Sequence, residues 1–393
     1  MRKICFISSS RADYGLLKNV MRRVSEAEDL DLQIAITGGH LDHRYGHTVD
    51  IIEKDGFTIN ARIPLMMDDD SPLGVAATMA SAMKGFGEAL AQLQPDLLFV
   101  LGDRHEILAA VLAAHVAGIP VAHHSGGDVT TGAYDDALRH CITKCAAFHF
   151  VSCEASRRRV LQMGEHPDHV FLVGGLGIEN IVGTTLLSKE TLEDDLPFCF
   201  DGKSLLVTFH PETNTDLSPL DQVTNLIDAL RQMPDLGLIF TSPNHDKGSF
   251  EIAKTIEDFV SKRENSILVT SLGELRYLSV ANIVDGVVGN SSSGICEIPS
   301  LQKPVLNIGN RQEGRERASC IIDVNNDQMS IHRGLEKLFS AEFRALSRTT
   351  SNPYDHGVAS LNIIKILMKM TKKQIGLKKF VDLSFPQLNQ QSL

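Results

Sequence analysis

Apolar residues come in short unbroken runs through most of the chain, separated by stretches with helical spacing. Ile4–Ser8, Leu32–Thr37, Asp96–Leu101, Val121–His123, Phe148–Val151 and Val170–Val173 read as strands. Helical patterns fall between them near Tyr14–Ser25, Val75–Gln92, Glu106–Ala117, Tyr134–Cys145 and Ala155–Met163. A strand that is apolar without alternation is buried on both faces, so this order predicts a parallel sheet flanked by helices. A second series follows Gly174–Gly177 and an acidic stretch ending near Gly202. Its strands are Leu205–Thr208, Leu236–Thr241, Ile267–Thr270, Ile283–Val288, Val305–Ile308 and Cys320–Val324. The pattern predicts an α/β chain with two doubly wound domains, residues 1–175 and 176–370, and a cleft between them. A last helical segment, Gly357–Thr371, ends in a basic patch. The tail, residues 371–393, is polar and reads as partly disordered toward Asp382–Leu393.

Composition narrows the class. A length of 393 residues suits two domains, and 43% apolar content suits a soluble globular protein. No apolar run is long enough for a membrane span, and the apolar part of MRKICFISSS is too short for a signal peptide. The net charge of −11 argues against nucleic acid as the main partner but leaves room for a small anion held by local arginines. Seven scattered cysteines, with no CxxC pair and no leader, read as reduced thiols in a cytoplasmic protein. Cys141 and Cys145, four apart on a helix, would need His123, His124 or His140 to complete a metal site. Small buried thiols are the commoner state, so no metal is expected.

Polar clusters fall just after strands, at the edge where ligands of such folds bind. They are Ser8–Tyr14, Gly102–Glu106, His123–Gly127, His210–Glu212, Ser242–Asp246 and Gly289–Ser293. In the last of these a Gly-Asn turn and three serines stand before a helix opening read at Gly294–Ser300. Small residues there let backbone N–H groups converge on a phosphate, and Arg311 and Arg315 follow the next strand as possible clamps. The alternative is a Ser-rich turn with an N-cap. Asp103 beside Arg104 reads as a carboxylate held ionised for proton transfer, or else as a surface ion pair. Asp135 and Asp136 open a helix in which Asp136, Arg139 and His140 share a face. Acids in a first turn also favour the helix dipole, which is the plainer explanation. His210, after a buried strand, is placed either to donate to a leaving phosphate or to bond a loop carbonyl. Asp68–Asp70 reads as a solvated loop. No GxGxxG follows the first strand and no P-loop occurs, so no nicotinamide cofactor or P-loop nucleotide is expected.

In this order the motifs resemble the hydrolysing UDP-N-acetylglucosamine 2-epimerases, which open sialic-acid biosynthesis. The matching stretches are SRADYG at Ser10–Gly15, TGGHLDHRYG at Thr37–Gly46 and GDRHE at Gly102–Glu106. GG-x7-DD-x2-RH-x2-TK follows from Gly126 to Lys144, then FHPET at Phe209–Thr213, GNSSSG-x2-E and GNRQ-x-GR. The resemblance spans Met1 to Leu367. It implies a GT-B-like fold of two Rossmann-type domains, with the nucleotide held mainly by the second. Carried over by motif, Ser291, Ser292 and Arg311 contact the phosphates, and Arg11, His40 and Arg104 reach the substrate from the first domain. Glu297 holds the ribose, and Asn244 and His210 line the nucleotide and diphosphate. Asp103, Asp135 and Asp136 match catalytic positions, with Arg139 on the same helix face. The implied reaction abstracts the carbon-2 proton, eliminates UDP to give a 2-acetamidoglucal and adds water, with no cofactor. Assembly as a homodimer or homotetramer is also implied.

Two positions depart from the pattern. Many relatives carry a glutamic acid before the Gly-Gly pair where this chain has Ser125, and serine cannot replace a carboxylate base near neutral pH. Asp128 or His124 stands nearby as a substitute. Some relatives have serine at Gly15. The leading expectation is hydrolysis of UDP-N-acetylglucosamine to N-acetylmannosamine and UDP. Its closest rival, which the two departures would suit, keeps the chemistry and changes the sugar to UDP-2,4-diacetamido-2,4,6-trideoxyglucose of the legionaminic-acid route. A GT-B glycosyltransferase and a nucleotide-sugar sensor without turnover are readings of other classes.

Overall fold

A computed structural model describes residues 1–43, 47–65, 69, 71–131, 134–212, 215–243, 248–370 and 378–382. The chain divides into two compact units. One comprises Met1–Asp128, Tyr134–Leu176 and His356–Leu393; the other comprises Val129–Ala133 and Gly177–Asp355. The apolar pattern predicts a second domain running from residue 176 to residue 370. The chain instead returns to the first unit at His356, because the apolar face of helix Ala359–Lys369 (Ile363, Ile364, Leu367) joins that unit's core beside Leu17, Val20 and Met21.

The first unit holds a seven-stranded parallel sheet among the described residues: β1 Arg2–Ser8, β2 Leu30–Thr37, β3 Ala61–Ile63, β4 Leu97–Leu101, β5 Val121–His124, β6 Phe148–Val151 and β7 Val170–Leu172. Their order is β3-β2-β1-β4-β5-β6-β7. The second unit holds six parallel strands: β8 Ser204–Thr208, β9 Gly237–Thr241, β10 Ser266–Val269, β11 Gly286–Gly289, β12 Val305–Ile308 and β13 Ile321–Val324. Their order is β10-β9-β8-β11-β12-β13. Strand order reverses at β1/β4 in one sheet and at β8/β11 in the other. Loops diverge at such points and leave a crevice beyond the strand ends.

Alternate residues along each strand feed opposite faces. Ile4 and Phe6 of β1, with Leu97 and Phe99 of β4, pack with Leu17, Val20 and Met21. Cys5 and Ile7, with Leu98 and Val100, pack on the other face with Phe86, Ile107 and Val111. The second sheet divides likewise, Leu205 and Val207 on one face and Leu206 on the other. This two-sided burial is why the strands read as unbroken apolar runs. The seven cysteines are all free thiols. Among the described residues no helix is long and apolar enough to cross a membrane.

Phe99 is fully buried between Phe6 and Phe150, with ring centroids 4.7 Å and 5.5 Å away. Phe99→Ala is expected to cost about 3–5 kcal/mol. Urea unfolding monitored by circular dichroism measures the loss; a change within error would mean the sheet repacks around the gap.

Candidate active site

In the first unit, the β1 loop folds around one carboxylate. Ser10 is the N-cap of helix Arg11–Ser25 and forms a capping box with Asp13. Asp13 accepts from the Ser9 and Ser10 amides at 2.8 and 2.9 Å and from the Ser8 hydroxyl at 2.7 Å. His40, fully buried, meets Ser8 through Nε2 at 2.8 Å and Thr48 through Nδ1 at 2.7 Å. Burial lowers its pKa, so the ring is neutral near pH 7. His40 thus supports this loop from beneath, while Arg11 is exposed at the first helical position. Residues 44–46 of the TGGHLDHRYG motif lie outside the described residues.

The β4 and β5 ends converge on a different cation from the one the sequence reading chose. Asp103 pairs with Arg139, not with its neighbour Arg104. Arg104 is extended at the start of helix His105–Val116, which turns its side chain away from Asp103 and onto Glu106 in the first helical turn (Nε–Oε1 2.6 Å). Burial works against the Glu106 carboxylate, yet Arg104 beside it holds its pKa below the usual value. Arg139, 4% exposed, also reaches Asp136 at 3.2 Å and donates to the Asp128 carbonyl at 2.7 Å. His140 Nε2 lies 3.4 Å from the other Asp136 oxygen. Asp136, Arg139 and His140 therefore do meet on one helix face. Asp135, next to them, is pushed up to about 6 by burial first and by the Asp103 charge second.

Both stand-ins for the missing glutamic acid already have work. Asp128 Oδ1 accepts from Ser152 at 2.9 Å and Ser156 at 2.6 Å, and the residue is 8% exposed. His124 is buried, contacts Ser125 Oγ through Nδ1 at 2.8 Å and is pulled down to about 4 by burial. Ser125 itself sits at φ +66°, a region L-residues rarely adopt. His123 lies between Thr143 at 3.2 Å and the Gly102 carbonyl at 2.8 Å. Cys141 and Cys145 do not gather with these histidines. Among the described residues the one three-ligand group is Glu193, Cys199 and Asp201, which lies in the second unit and is mostly exposed.

In the second unit the β11 end is organised by Asn290. Gly289, at φ +137°, passes so close to β8 that a Cβ would lie 1.8 Å from the Thr208 carbonyl oxygen. The Asn290 side chain accepts from the His210 amide at 2.7 Å and donates to the His210 carbonyl at 2.8 Å. Its own carbonyl accepts from Gln312 at 2.9 Å and Arg311 at 3.3 Å. The Arg311 amide donates to Glu212 at 2.8 Å. Burial, with the Arg311 charge second, takes the His210 imidazole down to about 3, so it acts only as a neutral ring near pH 7. The helix after β11 starts at Ser292 and runs only to Cys296, followed by a 3-10 turn Ile298–Leu301. The expected helix opening at Gly294–Ser300 is thus replaced by a shorter one beginning two residues earlier. Ser291 is the N-cap and approaches Ser293 at 3.3 Å; Ser292 is exposed. Tyr277 also meets Ser293, at 2.6 Å. Glu297 stands against Gly177, where a Cβ would come within 2.5 Å of its carboxylate. Burial, with Glu274 second, raises Glu297 to about 7. A pocket of about 670 Å³, lined among others by Asn310, Arg315, Asp323 and Arg333, includes none of Ser291, Ser292, Glu297 and Arg311. Asn244, Thr213 and Asp246 lie outside the described residues, as do Asp68 and Asp70.

The family model described as UDP-N-acetylglucosamine 2-epimerase matches residues 22–368. The chain belongs to this family. It is 36% identical over 384 residues to the GDP/UDP-N,N'-diacetylbacillosamine 2-epimerase (hydrolyzing) of Campylobacter jejuni, covering 97% of this chain and 99% of that one. It is 34% identical to the polysialic acid biosynthesis protein P7 of Escherichia coli, covering 98% of each. It is 35% identical to the UDP-N,N'-diacetylbacillosamine 2-epimerase (hydrolyzing) of Legionella pneumophila, covering 86% of this chain and 89% of that one. In three dimensions it superposes on the Neisseria meningitidis UDP-GlcNAc 2-epimerase bound to UDP-GlcNAc with a TM-score of 0.80 at 20% identity, over 94% of this chain and 100% of that one. The GT-B-like α/β fold implied by the motifs is therefore the fold observed.

For this epimerase-family chain, motif reading left Asp13, Glu106, Asn290 and Gln312 without roles, although each lies inside a quoted motif. Asp13 had a usable signal, as the fourth residue of an S-x-x-D cap. Asn290 and Gln312 act through contacts distant in sequence, whereas Glu106 meets Arg104 only two residues away.

The raised Asp135 pKa has a measurable sign. A carboxyl that holds its proton more tightly folded than unfolded weighs against the fold once ionised, and the cost grows between pH 3.8 and about 6. Asp135→Asn is therefore expected to raise the unfolding temperature at pH 7.5, with the gain vanishing below pH 3.8. Calorimetry across that range tests this; a gain independent of pH would place the effect elsewhere.

Proposed function

We propose that this chain is a hydrolysing 2-epimerase of a nucleoside-diphosphate sugar, with UDP-2,4-diacetamido-2,4,6-trideoxyglucose (UDP-N,N'-diacetylbacillosamine) as substrate. The observation that carries the reaction is the buried Arg139 guanidinium, which gathers Asp103 and Asp136 beside an Asp135 poised near pH 6. Elimination across carbons 1 and 2 needs a base for the carbon-2 proton and a hold on the departing diphosphate. Addition of water then needs an acid for carbon 2 and a base for the water. Asp136 takes the carbon-2 proton, steadied by Arg139 and His140. Asp135 supplies a proton, since a carboxyl near 6 exchanges readily at neutral pH. The second unit grips the diphosphate through Arg311 and the Asn290–Ser292 turn, and Glu297 takes the ribose hydroxyls. Asp128 and His210 contribute by shaping their loops. Arg11, Arg104 and Asn244 complete the substrate contacts carried by the motifs. The protein works in the cytoplasm as a homo-oligomer.

The sugar is argued from likeness to the Campylobacter and Legionella epimerases named for diacetylbacillosamine. A second reading, UDP-N-acetylglucosamine as the first substrate of sialic-acid synthesis, is favoured by likeness to the Escherichia coli polysialic acid protein. The Campylobacter name includes GDP, so the base is part of the same question. Offering UDP-diacetylbacillosamine, GDP-diacetylbacillosamine and UDP-N-acetylglucosamine without an acceptor separates them by nucleotide release. In heavy water the free manno-configured sugar should carry deuterium at carbon 2. Product without that label would exclude proton abstraction, and no release from any of the three would sink the assignment.

The two units should separate by mutation. Asp136→Asn is expected to lower kcat by about 10²–10⁴-fold while leaving UDP affinity within twofold. Arg311→Ala should weaken UDP binding by about 1.5–3 kcal/mol, roughly 10- to 100-fold. Calorimetric titration of UDP into both variants measures the contrast; equal losses of affinity would make Asp136 structural.

A further inference from the structure

A short segment beyond helix Ala359–Lys369, residues 378–382, docks on the first unit. Lys378 Nζ donates to the carbonyls of Thr143, Lys144 and Ala146 at 3.1, 2.6 and 2.7 Å, and pairs with Glu165 at 2.7 Å. Thr143 and Lys144 belong to the last turn of helix Asp135–Cys145, and Ala146 is its C-cap. Helix ends leave carbonyls without partners, and a cation there also opposes the negative end of the dipole. Glu165, 2% exposed, is shared with Lys144 at 2.7 Å and His149 at 2.9 Å. Next to Lys378, Phe380 lies over Gly164, where a Cβ would come within 2.5 Å of its ring. The Lys144 ammonium lies 4.8 Å from that ring centroid, and the Val381 amide donates to the Gly164 carbonyl at 2.9 Å. Charge, ring and backbone thus dock one short segment at one place.

The helix capped in this way carries Asp135, Asp136 and Arg139 at its other end. Its last turns connect to the rest of the acid cluster: Thr143 Oγ1 donates to the Arg139 carbonyl at 3.1 Å and meets His123, whose other nitrogen holds the Gly102 carbonyl beside Asp103. We propose that Lys378 is a positioning residue for the epimerase reaction, its ammonium capping helix Asp135–Cys145 and so fixing where Asp136 and Arg139 stand. The proposal rests on the reading of that helix as the acid–base element.

Four variants of the full chain test it, assayed on whichever of the three nucleotide sugars the wild type turns over. Lys378→Met, which keeps the apolar stem, is expected to lose about 10-fold in kcat with KM within twofold, since sub-ångström misplacement of reacting groups costs rate rather than binding. Lys378→Arg should retain more turnover than Lys378→Met. Phe380→Ala loosens the segment without touching the cap and should fall between wild type and Lys378→Met; it decides the matter if the latter does not fold. Amide exchange in residues 139–146 should quicken in step with the loss of kcat. Wild-type kcat in Lys378→Met alongside quickened exchange, or an Arg variant no better than the Met variant, overturns the proposal. Full turnover in Asp136→Asn would instead overturn the reading of the helix, leaving the cap a structural contact.

Discussion

A guanidinium buried among carboxylates sets the terms for the first unit. Arg139 cannot lose its proton and is almost out of water, so oxygen atoms must surround it. It takes them from three places in the chain: Asp103 after β4, the Asp128 carbonyl after β5, and Asp136 one helical turn away. Each segment is anchored to the same group, which fixes their spacing more tightly than loop packing alone. Removing such a cation would strand two acids beside each other, and removing an acid would leave the cation short of a partner. The neighbouring Asp135 shows the same field from the other side, held near pH 6 because it is half-buried beside Asp103.

The second unit solves a comparable problem with neutral groups. Asn290 spends its side chain on the backbone of His210 and its carbonyl on Gln312 and Arg311. The turn after β11 is thereby locked to the loop after β8 and the loop after β12. Gly289 is required because β8 backbone occupies the space of any side chain. With so short a helix beyond it, the dipole contributes little.

Much of this was legible in the chain. Strands buried on both faces write themselves as apolar runs, and the edge at which polar clusters gather follows from parallel connectivity. β3, three residues long with Arg62 in its middle, carried too little pattern to be read. The pairing of Asp103 escaped for a different reason. Adjacent charges look like partners in sequence, but Arg104 opens a helix and swings to Glu106, while the true partner lies 36 residues on. The end of the chain misled likewise: residues 371–393 read as a polar tail, with no role for Lys378. Only tertiary placement reveals it as a cap. Motif resemblance supplied an expected role for Glu297 that spacing alone could not, and it left Ser125, in its strained conformation, without one.

Glu297 carries a consequence of its own. With burial and Glu274 holding it near 7, and Gly177 leaving it no side chain to lean on, the free protein keeps this carboxyl only partly ionised at cellular pH. Two ribose hydroxyls donating to it would favour the anion. Nucleotide capture in that role is therefore also proton release, and the grip on substrate and on departing nucleotide loosens together as the surroundings acidify. In that role a single carboxyl, through its neighbours alone, would couple nucleotide occupancy to the acidity of the surroundings.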